Sequence, residues 1–294
     1  MKRVIKGNAF APSRLLEETK FDEKTPYILT VKSLEQDDIA IPHYGNSIEI
    51  LVNFGNLGVV QIDDFPYDLE KCKVLYIPPN HIHSNNIKAG DGMLCVLKIS
   101  VQDIVNFLDL EKILNLSDKT IFCKPFVLDE YKGMDEAVKA LIADDGDDMR
   151  CVKHLLEIFN ILEPYMSRND GDEKGVLSRN KNESLIKLLD FTERHFSENM
   201  SNKSAADHIG YNEVYFCRWF RRETGMTYNE YLMLLKINYA CKMLEKGKRV
   251  SDVVTELGYS NTSFFIRKFK EYVGCTPLEY AKKFETFRNS TSGS

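Results

Sequence analysis

Residues 216–231 read Phe216-Cys217-Arg218-Trp219-Phe220-Arg221-Arg222-Glu223-Thr224-Gly225-Met226-Thr227-Tyr228-Asn229-Glu230-Tyr231. The chain returns to this pattern 49 positions later: Phe216/Phe265, Arg218/Arg267, Phe220/Phe269, Arg221/Lys270, Gly225/Gly274, Thr227/Thr276 and Tyr231/Tyr280 all correspond. One structural unit is therefore used twice. Upstream, Gly210-Tyr211 and Gly258-Tyr259 correspond at 48, which places one extra residue in the turn of the second copy, where loops tolerate it.

Each copy predicts a short helix ending in glycine, a tight turn and a second helix, the helix-turn-helix layout. In the first copy the short helix is Ser204-Ala205-Ala206-Asp207-His208-Ile209, the turn is Gly210-Tyr211-Asn212, and the second helix runs from Glu213 to Glu223. Small Ala206 allows two helix axes to approach, and Val254 takes its place in the second copy. On the second helix Phe216, Trp219 and Phe220 share one stripe, while Val214, Cys217, Arg218 and Arg221, at i, i+3, i+4 and i+7, share another. The second copy repeats this with Phe265, Phe269 and Tyr272 inward and Ser263, Ile266, Arg267 and Lys270 outward. An arginine central to both outward faces can donate two hydrogen bonds to guanine O6 and N7, and flanking cations can hold phosphates. Asn212, Arg222, Asn261 and Thr262 at the margins complete the expected DNA contacts. Capping boxes at Thr227…Glu230 and Thr276…Glu279, with Pro277 at a first helical position, start a new helix after each copy. The helix from Tyr228 to about Glu245 predicts a rod of roughly 27 Å, able to hold the two reading helices about one DNA turn, ~34 Å, apart.

Around this repeat, the 294 residues are 43% apolar and 28% charged, which suits a two-domain globular chain. The net charge of -5 conceals an asymmetry: residues 184–288 are net +4 and residues 1–166 net -9, so the basic part is the one fitted to an anionic partner. Seven scattered cysteines without a Cys-x-x-Cys pair argue against a disulfide framework or a thiolate zinc site. No secretory signal or membrane-spanning run is legible, and a cytoplasmic location is expected.

Between Ile41 and Ile99 short apolar segments, such as 48–52, 58–62, 73–77 and 93–97, are separated by Gly, Asn, Asp and Pro, the cadence of an antiparallel sandwich or barrel. From Met134 the spacing turns helical. Val152, Leu155, Leu156, Phe159 and Leu162 form an apolar stripe, expected to end at Glu163-Pro164 and to pack either on its own sheet or on a second copy. Asp144-Asp145-Gly146-Asp147-Asp148 lacks the terminal Glu of a calcium loop and reads as a solvated turn. The polar stretch that follows predicts a linker over 167–183, so the expected domains are 1–166, 184–288 and a tail at 289–294.

The region from about Leu185 to Phe284 resembles the DNA-binding domain of AraC/XylS-type regulators. The segments that carry the likeness are Tyr215 to Gly225, Gly258 to Lys270, and Gly274-Cys275-Thr276-Pro277-Leu278-Glu279-Tyr280. The resemblance implies seven helices, binding to successive major grooves of double-stranded DNA, base contacts from the outward positions named above, and RNA polymerase as a further candidate partner. Lys236 departs from the arginine usual in the linker helix, Val254 from the usual alanine, and Val214 and Cys217 offer no strong base donors.

The segments His43 to Gly55 and Ile77 to His83 resemble the cupin-type barrel that many such regulators carry. The expected architecture is thus α+β, with an N-terminal cupin-like barrel and helical dimerisation segment before an all-α domain. Enzymatic cupins hold a metal with three His and one Glu; here His43, Glu49 and His83 fit while Gly45 stands at the second His. Their even spacings place His43 with Glu49, and His81 with His83, on shared strand faces. No cofactor is expected. The principal reading is a pocket for a small polar effector, with a sugar as the class in view and Arg14, His43, Glu49, Tyr67, Tyr76, His81 and His83 as contacts, in a homodimeric regulator. The alternatives are a metal-dependent cupin enzyme fused to a DNA reader and a DNA-binding factor whose barrel only dimerises.

Overall fold

The computed structural model describes residues 4–6, 16–17, 26–45, 47–100, 121, 123–168, 183–198 and 200–282. The chain divides into two compact units, and among the described residues the boundary between them falls between Glu183 and Ser184.

The N-terminal unit is built on two sheets. The first has the order β1 (Val4–Lys6), β3 (Tyr27–Ser33), β10 (Met93–Ser100), β5 (Ser47–Phe54), β8 (Val74–Ile77), β11 (Phe126–Leu128); the second has β2 (Leu16–Glu17), β4 (Asp38–Gly45), β9 (His83–Ile87), β6 (Gly58–Ile62), β7 (Phe65–Asp68). Strand alternation assigns the two faces of the first sheet different neighbours. Ile48, Ile50 and Val52 of β5, with Leu97 and Ile99 of β10, join a core with two helices, α1 (Met134–Ala143) and α2 (Asp148–Arg168). The opposite face offers Leu51, Leu75, Ile77 and Leu94, which pack against Val60, Ile62 and Ile87 of the second sheet.

The result is a helical layer, a middle sheet and an outer sheet. Among the described residues the two sheets share no strand ladder, so the expected barrel is corrected to an open two-sheet stack. The four segments read as strands fall on β5, β6, β8 and β10.

Helix α2 settles how the apolar stripe packs. Leu155, Phe159 and Leu162 are buried in the core with the first sheet, while Val152 and Leu156 are half-buried. The helix also passes through Pro164 instead of ending there. Proline removes one N–H from the ladder and crowds the preceding turn. Beyond it, however, Met166 is fully buried and Tyr165 stacks at 6.1 Å on Phe126, contacts that would be lost if the helix stopped. The aspartate-rich turn between α1 and α2 does more than face solvent: Asp144 accepts hydrogen bonds from His154 Nε2 (2.9 Å) and Arg150 Nη1 (3.2 Å), pinning the two helices.

The C-terminal unit is all helical among its described residues: α3 (Glu183–His195), α4 (Asn202–His208), α5 (Glu213–Thr224), α6 (Tyr228–Glu245), α7 (Val250–Glu256) and α8 (Thr262–Val273), with a further helical segment opening at Pro277. Each start has a local cause. Ser201 and Ser204 form a capping box on α4, Thr227 and Glu230 form one on α6, and Thr276 and Glu279 exchange the same bonds before Pro277. The ends of α5 and α8 are glycines in the left-handed region, Gly225 and Gly274.

Each helix-turn-helix has its own core. Phe216 and Phe220 of α5 each lie 5.4 Å from the Tyr228 ring of α6, Phe220 also reaches Tyr231, and Trp219 packs on both phenylalanines. Phe265 and Phe269 of α8 pack with Val253, Val254 and Leu257 and with Ile237, Cys241 and Leu244 of α6. Burial of such a side chain contributes about 1.5–3 kcal/mol, so α5 and α8 are each anchored by several times the energy of a surface contact.

Candidate functional site

Two places carry chemistry, one in each unit. In the C-terminal unit, the inward stripes just described leave the opposite faces of α5 and α8 exposed. Val214 (65% exposed), Cys217, Arg218 and Arg221 lie outward on α5, and Ser263, Arg267 and Lys270 on α8; Ile266 is half-buried against the second core. In the same repeat, Tyr272 is half-buried, and Val273 is the buried residue there.

The side chains at the margins have specific tasks. Asn212 and Asn261 are exposed, but the Oδ1 of each caps its reading helix, accepting from the N–H of Tyr215 (2.9 Å) and Phe264 (3.0 Å). Thr262 is exposed at the first turn of α8. Arg222 is held by its neighbour Glu223, whose side chain is nearly buried, so it stands off the outward stripe. Arg267 lies 5.5 Å from the Phe264 ring centroid, which steadies its guanidinium.

Lys236, on the linker helix, is nearly buried and sits 5.0 Å over the Tyr259 ring of the second helix-turn-helix; burial pulls its ammonium below the usual lysine range. In the sequence this position stands out only as a departure from arginine. All seven cysteines are free thiols, and Cys217 is exposed on the α5 face.

The second place lies between the two sheets. In β4 the register against β9 slips between Ala40 and His43, so that three residues of β4 span two of β9 and His43 stands directly opposite His83. Pro42 lies within this bulge, where a residue without an N–H fits. The two imidazoles are 4.2 Å apart between centroids. From the facing sheet, Glu49 of β5 approaches, with Oε1 3.5 Å from His83 Nε2 and 3.3 Å from the Nζ of Lys98, its direct cross-strand partner on β10.

All of these groups are buried or nearly so, and donor atoms of His43, Glu49 and His83 fall within 4.8 Å of one another. Burial opposes the Glu49 charge, but Lys98 and His83 outweigh it and keep the carboxyl below the usual range, ionised. Burial, with His83 beside it, holds the His43 imidazole well below its ordinary value, hence neutral. Burial alone would lower His83 too, yet Glu49 offsets this and moves it upward.

The remaining expected contacts divide. His43 and Glu49 meet, but from two strands in different sheets and not along one strand face. His81 precedes β9 and bonds Asp63 (2.6 Å) instead of joining His83. Tyr67 is half-buried against the core between the sheets. Tyr76 belongs to the opposite face of its sheet, donating to the Ile121 carbonyl (2.8 Å) and stacked on Phe126, and is a core residue. Arg14 lies outside the described residues. Lys98 was missed: its signal was the alternation of β10, visible once β5 supplies the partner.

Comparison with known proteins bears on the C-terminal unit. Residues 205–283 match the family described as "Helix-turn-helix domain". The melibiose operon regulatory protein of Escherichia coli (strain K12) is 24% identical over 133 residues, 45% of this chain and 44% of that protein. An uncharacterised HTH-type transcriptional regulator, YbfI of Bacillus subtilis (strain 168), is 32% identical over 108 residues, 36% of this chain and 39% of that protein. The solved structure of ToxT from Vibrio cholerae O395 aligns over 88% of this chain and 100% of its own at 12% identity, with a TM-score of 0.41. The chain thus spans less than half of the length of these two curated relatives.

Two helix-turn-helix units joined by a rod, each with an arginine-bearing helix facing outward, define a double helix-turn-helix DNA-binding domain. Residues 205–283 thus form a helix-turn-helix domain of the kind that transcription regulators of the AraC/XylS type carry. Among the described residues no helix is long and apolar enough to cross a membrane.

Proposed function

We propose that this chain is a sequence-specific transcription regulator that reads double-stranded DNA with α5 and α8, and that a small-molecule effector in the N-terminal unit sets its DNA affinity or geometry. The observation that carries the first part is the doubled exposed face, Arg218 with Arg221 and Arg267 with Lys270, on helices whose other sides are locked into aromatic cores. Base-edge reading is worth about 1–3 kcal/mol per good bidentate contact, and rigid anchoring limits the entropy lost on docking. The effector part is supported by a polar cluster between two sheets, His43, Glu49, His83 and Lys98, beside an apolar core. Polar groups of this kind orient a ligand among apolar walls, and a sugar or related metabolite is the class in view. Control requires the effector to bind two arrangements of the protein with different affinities. A homodimer joined through the N-terminal unit is part of the same proposal.

The test is a thermal-shift screen of the full chain against sugars, sugar acids and related metabolites, followed by DNA binding with and without each hit. A saturable stabilisation that follows RT ln(1 + [L]/Kd) and alters DNA affinity is the expected result. Salt-sensitive DNA binding that no compound alters would overturn the effector part and leave a constitutive DNA-binding factor.

A further inference from the structure

The cluster between the sheets has a feature that effector orientation does not require. His43 gives its Nδ1 to the Ile41 carbonyl at 2.8 Å, and His83 gives its Nδ1 to the His81 carbonyl at 3.0 Å. A carbonyl accepts only from N–H, so both rings carry their proton on Nδ1. In the neutral form, Nε2 of each is then a lone-pair donor, the arrangement by which metal-binding imidazoles are fixed in tautomer and direction. The His83 Nε2 is buried and makes no hydrogen bond; its nearest charged neighbour is Glu49 at 3.5 Å. A buried nitrogen left in this way calls for a ligand. Two imidazole nitrogens and a carboxylate oxygen suit a divalent first-row transition ion more than magnesium or calcium, which prefer oxygen throughout.

One positive charge is already in place. Lys98 Nζ stands 3.3 Å from the same Glu49 oxygen that faces His83, with a side chain 15% exposed against 5% for Glu49. Two cations cannot share one buried carboxylate at low cost. An ion with bonds of about 2.1 Å would also draw tetrahedral donors to about 3.4 Å from one another, closer than the present spread of up to 4.8 Å. The long lysine stem can carry its ammonium outward while keeping its methylenes packed.

We propose that His43, Glu49 and His83 bind a divalent transition-metal ion and that Lys98 is the resident cation it displaces, so that ion and ammonium exchange at Glu49. The inference concerns ion binding alone and does not depend on the DNA-binding reading. Metal entry moves Lys98 on β10, the strand that lies between β3 and β5 in the middle sheet, and so converts ion binding into a change inside the N-terminal unit.

The experiment titrates Co(II), then Zn(II) in competition, into the full-length protein and follows the visible Co(II) absorption. One equivalent is expected to bind, with His43→Gln and His83→Gln each weakening it about 10-fold or more, and Lys98→Met strengthening it about 10-fold. If a histidine variant fails to fold by circular dichroism, X-ray absorption on the Co(II)-loaded protein supplies the ligand count, with two imidazoles expected. Absence of stoichiometric binding in both the wild type and Lys98→Met overturns the site, as does a Co(II) spectrum without imidazole ligands. Unchanged affinity in folded Lys98→Met overturns the exchange.

Discussion

The two helix-turn-helix units share one frame, but their matched positions differ. Position 222 of the first corresponds to position 271 of the second; the first places Arg there and the second Glu. Arg222 is tied back by Glu223, whereas Glu271 holds Lys268 at 2.8 Å. Each unit thus occupies one of its own flanking cations, and the outward arginine, 218 or 267, is spared. The units differ at that arginine too: Arg267 is steadied by the Phe264 ring, while at the matching place Tyr215 packs edge-on to Tyr211 instead. The second helix presents the more preorganised reader, and the first, with Val214 and Cys217 beside Arg218, offers more van der Waals surface. Repetition supplies the frame, and local pairing decides which cation is left exposed.

The sharpest way to break this comparison is at the paired turn glycines. Both have left-handed backbone, Gly210 at φ 73° and Gly258 at φ 71°, but a Cβ on Gly210 meets nothing within 4 Å while one on Gly258 falls 2.1 Å from the Ser197 carbonyl oxygen. Gly210→Ala should cost about 1–2 kcal/mol from backbone strain alone, and Gly258→Ala about 2–5 kcal/mol once overpacking adds to it. Equal losses in urea unfolding would mean that the two turns are under the same constraint.

Next in size, Arg267→Ala should relax preference at one base position by roughly 1–3 kcal/mol; Arg218→Ala should act in the other half of the site and by less, because its guanidinium is less ordered beforehand. A uniform loss over all sequences would make either residue a phosphate clamp. Asn212→Ala and Asn261→Ala should each cost about 1 kcal/mol of stability as lost helix caps, with similar values in the two units. The smallest effect is expected from Glu223→Gln, which releases Arg222: non-specific DNA affinity should rise and the salt slope steepen by about 1. A flat response would show that Arg222 does not reach the duplex.

The C-terminal unit was legible because two independent signals coincide, a spacing that repeats and residue types whose geometry is local: capping Ser, Thr and Asn, left-handed Gly and aromatic stripes. The N-terminal unit was legible only in its apolar strands. Strand β9 is mostly polar, and no local rule pairs Tyr27–Ser33 with Met93–Ser100 across about sixty positions. The meeting of His43, Glu49 and His83 was anticipated, but from strand parity. It arises from a bulge beside Pro42 and from the facing of two sheets, which are tertiary facts. Tyr76 failed as a ligand contact for the same reason, since the face of a strand with apolar residues on both sides cannot be assigned without its neighbours. Pro164 misled because local propensity yielded to the burial of Met166 and the stacking of Tyr165 on Phe126.

The most direct test of the account is selection of the full-length protein on random double-stranded DNA, read by sequencing. Two short motifs should be enriched together, with centres about 10.5 base pairs apart, one for each reading helix on the same face of the duplex. Enrichment of a single motif with no fixed partner, or of none, would contradict the claim that α5 and α8 both read bases.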